Sequence, residues 1–271
     1  MKNVISVKNV KKIYGQGKNA IIAIEDFSMD VNEGDFIAVV GPSGCGKSTL
    51  LWGLTGLHPF NSGEAYILNK KIDKPIKEVG IIFQQPNLLP WRNLESNIKF
   101  PLEIMRENLK ESEQKIAELI QSVGLGGFEK SYPRELSGGM QQRASIVRAL
   151  SFDPKILLMD EPFGALDAYT REEMDALIVD IWEKTKKTIV FVTHMIEEAV
   201  FLADKVFVMT PRPGKNSRDY LIDLPRPRKK EIMMENIFFN MVSKIKKTIF
   251  EDVDEQKAIG LYKSKAYSTI I

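Results

Sequence analysis

Apolar residues along this chain fall into short runs rather than long ones, and the spacing within the runs alternates between that of strands and that of helices. Residues 4–10 and 21–31, rich in Val and Ile, predict strands, and Asn32, Glu33 and Gly34 predict a turn before a buried strand at 35–40. That strand runs straight into a glycine-rich segment, 41–46, and residues 47–57 then take up the spacing of a helix packed on a sheet. From about 87 to 130 the texture is helical: Ile104, Met105, Ile116, Leu119 and Ile120 recur at spacings of three and four among Glu103, Glu107, Glu111 and Glu118. A further helix is predicted over 137–150, ended by Asp153 and Pro154. Strands at 156–160, 188–192 and 206–209 then alternate with helices at 170–184 and 195–203. Such alternation predicts an α/β fold with a largely parallel sheet.

Past Pro211 the punctuation by Arg212, Pro213 and Gly214, and the later segment 224–230, read as solvated connections. A last amphipathic helix carries Met234, Ile237, Phe238, Met241, Ile245 and Ile249 along one face. That face either docks on the protein's own body or serves a partner or a membrane surface. The expected division is a domain over 1–225, with a helical subdomain at about 87–150, followed by a C-terminal amphipathic helix and tail over 226–271.

Composition narrows the field. The 271 residues are 44% hydrophobic, ordinary for a globular chain with a core, which removes disordered and fibrous classes. Thirty-eight Lys and Arg against 36 Asp and Glu leave a formal charge of +2, without the basic excess of a dedicated nucleic-acid binder, so no nucleic-acid partner is expected. Cys45 is the only cysteine, which excludes an intramolecular disulfide and fits a reducing compartment. The longest apolar stretches, 36–40 and 189–192, fall far short of the roughly 20 residues of a spanning helix. Lys2, Lys8, Lys11 and Lys12 interrupt the first residues, unlike a secretory signal. A cytoplasmic location is expected.

The chemistry begins at Gly41-Pro42-Ser43-Gly44-Cys45-Gly46-Lys47-Ser48, followed by Thr49. Glycine, four residues and then Gly-Lys-Ser is the spacing of a phosphate loop, here between a predicted strand and a predicted helix as that motif requires. Successive backbone N–H groups and the helix N-terminus form a cradle for a triphosphate, so ATP is the expected ligand. Lys47 is assigned to the β- and γ-phosphates and the Ser48 hydroxyl to Mg2+. The strand at 156–160 ends in Asp160 and Glu161. Asp160 suits the magnesium shell, and Glu161 is placed to polarise the attacking water.

Leu136-Ser137-Gly138-Gly139-Met140-Gln141, shortly before the Asp160 strand, resembles the signature sequence of the ABC ATPase family. Read bare, it is a helix start with a hydroxyl and open backbone, chemistry apt for an anion. The resemblance extends from Val4 to about Met209. It implies a P-loop NTPase core with a mainly parallel sheet, an N-terminal antiparallel β-subdomain and a helical insertion. It further implies that Tyr14 stacks on adenine, that Gln84 meets Mg2+ and the water while linking core to insertion, and that Ala165, Leu166 and Asp167 cross a dimer interface. His194 resembles the switch histidine at the γ-phosphate, although a strand-end histidine taken alone is more often satisfied by a neighbour. In the family two copies face head to tail, so Leu136, Ser137, Gly138, Gly139 and Gln141 of one chain would close over ATP held by the other.

A single nucleotide-binding unit, the lack of a long heptad insertion and a near-neutral charge favour transport over the alternative, a soluble mechanochemical ATPase acting on nucleic acid or ribosomes. The stretch from Phe83 through Gln85, Pro86, Pro90 and Trp91 to Asn97 is similar to the ATPases of nitrate, sulfonate and taurine importers, as are Pro211 to Gly214 and Leu224 to Arg228. That implies membrane permease subunits as partners, an extracytoplasmic solute-binding protein engaged indirectly, and a peripheral position on the cytoplasmic face of the membrane. Residues 85–91 are the candidate coupling surface; for Pro90 and Trp91 the competing reading is a turn whose ring covers the insertion's core. No substrate-sensing module is expected, and Cys45 inside the phosphate loop is expected to confer thiol sensitivity against which ATP protects.

Overall fold

The computed structural model describes residues 2–268, which divide into two units: residues 2–75 with 191–268, and residues 76–190. This division cuts the chain elsewhere than the expected boundary at 225. In chain order the elements are β1 (Asn3–Tyr14), β2 (Ile21–Asn32), β3 (Phe36–Val40), α1 (Lys47–Leu54), β4 (Ser62–Ile67), β5 (Lys70–Lys71), β6 (Val79–Ile82), α2 (Leu94–Met105), α3 (Leu109–Ser122) and α4 (Gly138–Leu150). There follow β7 (Ile156–Asp160), α5 (Ala168–Thr185), β8 (Thr188–Val192), α6 (Ile196–Leu202), β9 (Lys205–Met209), β10 (Gly214–Leu221) and α7 (Asn236–Ser268). The α/β class is as the sequence predicts.

In the first unit β1 runs antiparallel to β2 and to β4, and β4 pairs with β5. Phe27, Met29 and Val31 of β2 are buried at every second position, the period of a strand with one face on a core. β3 is different: all five of its residues are buried, and it pairs in parallel with β9, Val40 opposite Val208. A strand covered on both faces has to be continuously apolar, which is why 36–40 is so plain in the sequence.

In the second unit β6 and β7 are parallel, Ile82 opposite Met159. The helical insertion is two helices rather than one stretch, because Arg106 turns left-handed (φ 57°) at the end of α2. Asn93 caps α2 by accepting the Ser96 N–H at 2.9 Å. Leu94, Ile98 and Leu102 of α2 meet Ile116 and Ile120 of α3 and Ala144 and Val147 of α4 in one buried cluster. Of the periodic residues read from the sequence, Ile116 and Ile120 lie in this core and Leu119 packs against it, whereas Ile104 is exposed.

Two expectations fail at the C-terminal side. The segment beyond Pro211 is not a solvated connection: β10 pairs antiparallel with β9 (Tyr220 opposite Val206) and in parallel with β2 (Gly214 opposite Ile24). Nor is 224–230 solvated throughout, since Leu224 and Arg228 are buried while Pro225, Pro227, Lys229 and Lys230 are exposed. Arg228, 4% exposed, donates to the carbonyls of Val200 (3.2 Å), Phe201 (3.0 Å) and Ala203 (2.6 Å) at the end of α6, and to Ile222 (3.3 Å). A guanidinium belongs there because the last carbonyls of a helix lack internal partners and carry the negative end of its dipole. Burial, with Arg226 nearby, pushes Arg228 down to about 10, still charged at neutral pH.

The last helix docks on its own unit, where α7 meets α6, β9 and β10. The docked stripe is Phe238, Val242, Ile245 and Thr248; Met234 and Ile237, expected on that face, are exposed. Replacing Arg228 by Leu leaves the α6 carbonyls without their donor. It is expected to cost about 3 kcal/mol and to lower the Tm by roughly 6 °C or more, read in a thermal melt beside Arg228→Lys, which keeps the charge but not the fork and falls between.

Candidate nucleotide site

The first unit builds the phosphate loop on the ends of its parallel strands. Gly46 caps α1 with φ at 114°, a conformation closed to other residues, and a Cβ there would stand 2.9 Å from the Ala23 carbonyl oxygen. Gly214 backs onto the loop from β10: a Cβ would sit 2.3 Å from the Cys45 carbonyl oxygen. Lys47 is 5% exposed, and its Nζ donates to the carbonyls of Gly41 (3.0 Å) and Pro42 (3.2 Å). Gly41, Pro42, Ser43, Gly44, Cys45, Gly46, Lys47, Ser48 and Thr49 thus form one continuous turn into α1. The loop is wound around the Lys47 Nζ at the N-terminus of α1.

Two other expected residues belong to this unit. The Thr193 N–H donates to the Val39 carbonyl at 3.2 Å, which brings the turn after β8 to the end of β3, beside the start of the loop. His194, next in the chain, is exposed. Tyr14 pairs with Ile21 at the end of β1, and β2 carries Ala23, the residue against Gly46. Lys12 lies 5.3 Å from the Tyr14 ring centroid.

The second unit gathers the acidic residues. Parallel pairing of β6 with β7 brings their ends side by side, so Gln84 emerges next to Asp160 and Glu161. Asp160 is 8% exposed. Glu161 turns the chain left-handed, with φ at 43°, a strained conformation for a non-glycine residue costing on the order of 1–3 kcal/mol. Its carbonyl accepts the Gly164 N–H at 3.1 Å, closing a tight turn. A Cβ at Gly164 would meet Gln84 Nε2 at 3.3 Å and Glu161 Oε2 at 3.7 Å, so the amide and the carboxylate share one small space.

The same unit joins the turn at 136–141 to the loop at 165–167. Ser137 caps α4, its Oγ accepting the Met140 N–H at 3.3 Å, and Gln141 Nε2 ties the turn to the Pro133 (3.0 Å) and Leu136 (3.1 Å) carbonyls. Leu136 is buried in the helical core, whereas a Cβ at Gly138 would meet open space among the described residues. Asp167 caps α5, accepting from Thr170 through both N–H (3.0 Å) and hydroxyl (2.6 Å), and the hydroxyl first, then the N–H, holds its carboxyl below the usual range. The Thr170 methyl approaches Gly139 so closely that a Cβ there would lie at 2.8 Å. Arg171 fixes the loop of Ala165 and Leu166 by donating to the Phe163 (3.3 Å) and Leu166 (2.6 Å) carbonyls. Thr170 escaped the sequence reading, though Asp followed three residues later by Thr is a legible cap.

Trp91 does not cover the insertion's core. It is 71% exposed, and Leu88 packs on that core instead. The loop that presents Trp91 is tied down by Asn97, fully buried, whose Oδ1 accepts from Leu89 N–H (2.7 Å) while Nδ2 donates to the Leu89 (3.1 Å), Arg92 (2.9 Å) and Asn93 (3.1 Å) carbonyls. Arg148 of α4 holds the Pro86 and Asn87 carbonyls at 2.7 Å each, and Gln142 donates to Phe83 at 3.3 Å. No sequence spacing announced these α4 contacts.

Residues 24–164 match the family model described as "ABC transporter". The chain belongs to this family. It is 44% identical over 226 residues to the aliphatic sulfonates import ATP-binding protein SsuB of Bacillus cereus, covering 83% of this chain and 89% of the relative. It is 44% identical over 204 residues to the taurine import ATP-binding protein TauB of Rhizobium johnstonii, covering 75% and 78%. The dimeric ATP-binding cassette MJ0796, solved in a post-hydrolysis state bound to ADP and Pi, superposes with a TM-score of 0.72 at 33% identity, over 82% of this chain and all of that one. This ABC ATPase therefore binds and hydrolyses ATP.

One chemical expectation changes. The Cys45 thiol is 1% exposed and turned beneath Gly41, so the loop offers ligands its backbone at this position and not its sulfur. Buried thiols are inert until the structure opens, and an opening cost of even about 1.4 kcal/mol slows reaction tenfold. Titration with a chromogenic disulfide reagent is expected to show Cys45 of the native ABC ATPase reacting at least about tenfold more slowly than in urea.

Proposed function

We propose that this ABC ATPase is the ATP-hydrolysing subunit of an importer for small sulfonate-type solutes, in the group that takes aliphatic sulfonates, taurine and related anions such as nitrate. The phosphate loop around the buried Lys47 carries the ATPase half of the reading, and the names of the relatives carry the import half. Among the described residues no helix is long and apolar enough to cross a membrane, so separate permease subunits would form the pathway and this chain would sit against their cytoplasmic face. An extracytoplasmic binding protein would deliver the solute to them.

The donor set fits Mg2+. Ser48, Asp160 and Gln84 offer the hard oxygen ligands that Mg2+ prefers and would hold it alongside waters and phosphate oxygens. When bound, Mg2+ supplies neutralisation of the charge developing on the transferred phosphoryl group. Lys47 exchanges the Gly41 and Pro42 carbonyls for β- and γ-phosphate oxygens, a charge-assisted and therefore stronger bond. Glu161 takes the proton of the attacking water, with Gln84 beside it orienting that water, and His194 meets the γ-phosphate. Tyr14 stacks on the adenine. Ser137, Gly138 and Gly139, with Leu136 and Gln141 holding their turn, close over the ATP of a second copy, and Ala165, Leu166 and Asp167 line the crossing between the copies.

Glu161→Gln is expected to lower kcat by roughly 100-fold or more while ATP still binds, and MgATP is expected to double the 30.8 kDa mass measured by light scattering. The trapped dimer, used to capture partners from detergent-solubilised native membranes, is expected to bring down a permease with a binding protein; a nucleic-acid or ribosomal partner in its place sinks the import reading.

The exposed ring of Trp91 on a pre-built loop is assigned to a cytoplasmic helix of the permease. Trp91→Ala is expected to abolish most solute uptake in cells while ATP affinity of the purified chain stays within about twofold, since burying such a ring contributes on the order of 2–4 kcal/mol to an interface. Equal loss of uptake and ATP binding would assign Trp91 to packing.

A further inference from the structure

Glu198 is a carboxylate buried to 4% exposure in the first turn of α6, and none of the roles above employs it. Its Oε2 accepts a hydrogen bond from the Thr193 hydroxyl. Thr193, itself buried, is held in two further ways: its N–H donates to the Val39 carbonyl at 3.2 Å, and its Oγ1 accepts the Met195 N–H at 3.0 Å. The hydroxyl is therefore fully committed, accepting from one side of His194 and donating to Glu198. His194 lies between the two backbone groups so fixed, and its own side chain is exposed.

A buried carboxylate is a costly way to start a seven-residue helix, because desolvating the charge opposes folding and an exposed Ser or Asp at the cap would serve. Met195, at the cap, makes no side-chain capping bond. The neighbouring Glu197 behaves as an ordinary surface acid, bridging Lys246 of α7 at 2.6 Å. Through the Thr193 hydroxyl, Glu198 braces the turn that carries His194 beside the end of β3, where the phosphate loop begins.

We propose that Glu198 and Thr193 are positioning residues for His194, fixing the direction from which its imidazole meets the γ-phosphate; the proposal rests on the assignment of His194 made above. Misplacing a catalytic group by about an ångström costs on the order of 100-fold in rate. Binding of ATP, carried by the phosphate loop, is untouched by that misplacement.

The test is steady-state ATPase activity of the full chain, with thermal melts of each variant. Glu198→Ala is expected to lower kcat by roughly 10- to 100-fold with KM for ATP within about twofold, and Glu198→Gln, whose amide oxygen still accepts the hydroxyl, to retain most of the activity. Thr193→Val, nearly isosteric, is expected to reproduce the loss and carries the test if Glu198→Ala fails to fold. Glu197→Gln, the surface control, is expected to keep wild-type kcat. In a His194→Ala background Glu198→Ala is expected to add nothing, since residues acting as one unit are not additive. Independent, multiplying losses, or wild-type kcat in Thr193→Val, would overturn the positioning role alone. A His194→Ala variant with unchanged kcat would overturn the assignment of His194 and the proposal with it.

Discussion

The first unit is organised around one buried ammonium. Lys47 is 5% exposed, and its own loop supplies acceptors for its buried Nζ by turning the Gly41 and Pro42 carbonyls inward. A loop so tightly wound has no room beneath it, which is why β10 passes behind with a glycine, Gly214, and why β2 approaches at Ala23 where only Gly46 fits. The strand pairings follow suit: β9 beside β3, β10 between β9 and β2. The sheet edges that looked unrelated in the sequence are thus fixed by how closely they approach one turn.

The same point explains what was legible beforehand. The loop, the strands at 36–40, 156–160 and 188–192 and the cap at Ser137 could be read because their causes are local: continuous apolar runs for double-sided burial, and side chains hydrogen-bonded within four residues. β10 was missed because Gly-Lys-Asn-Ser-Arg-Asp is polar and follows two prolines; it is a strand through its pairing with β2 and β9, partners far away in sequence. The strands at 62–67 and 79–82 were missed for the same reason, their partners β1 and β7 lying far away in sequence, whereas the pair Lys70 and Lys71 carries no apolar signal at all. Arg228 shows the opposite error. An arginine set between a proline and two lysines reads as solvent, yet the carbonyls at the end of α6 make the interior the better place for it.

Of the site, residue identity was plain and residue geometry was not. Nothing in the sequence showed that Gln84 and Glu161 occupy one space about Gly164, or that Glu161 carries the strain of a left-handed turn. Nor did it show that Thr170 stands between Asp167 and Gly139. That contact matters to the reading of a two-copy enzyme. The cap of α5 and Gly139 touch through one threonine, so on the proposed reading a second copy that presses on either would displace both.

The second unit also explains why an exposed tryptophan is tolerable. Large exposed rings are costly to solubility unless a partner covers them. A loop that must order itself on contact would lose part of the binding energy to that ordering. Here the ordering is already done by Asn97, which uses donors and acceptor alike on the loop's backbone, and by Arg92, whose guanidinium reaches both Glu103 oxygens (2.9 and 2.8 Å) and lies over Phe100. Gln142 and Arg148 then fasten the Phe83, Pro86 and Asn87 carbonyls to α4, the helix that Ser137 caps. A load applied at Trp91 is therefore borne by the same rigid piece that carries the signature serine at its other end. On the proposed reading that shared helix is how a permease, which touches no nucleotide, reaches the residue that closes over one.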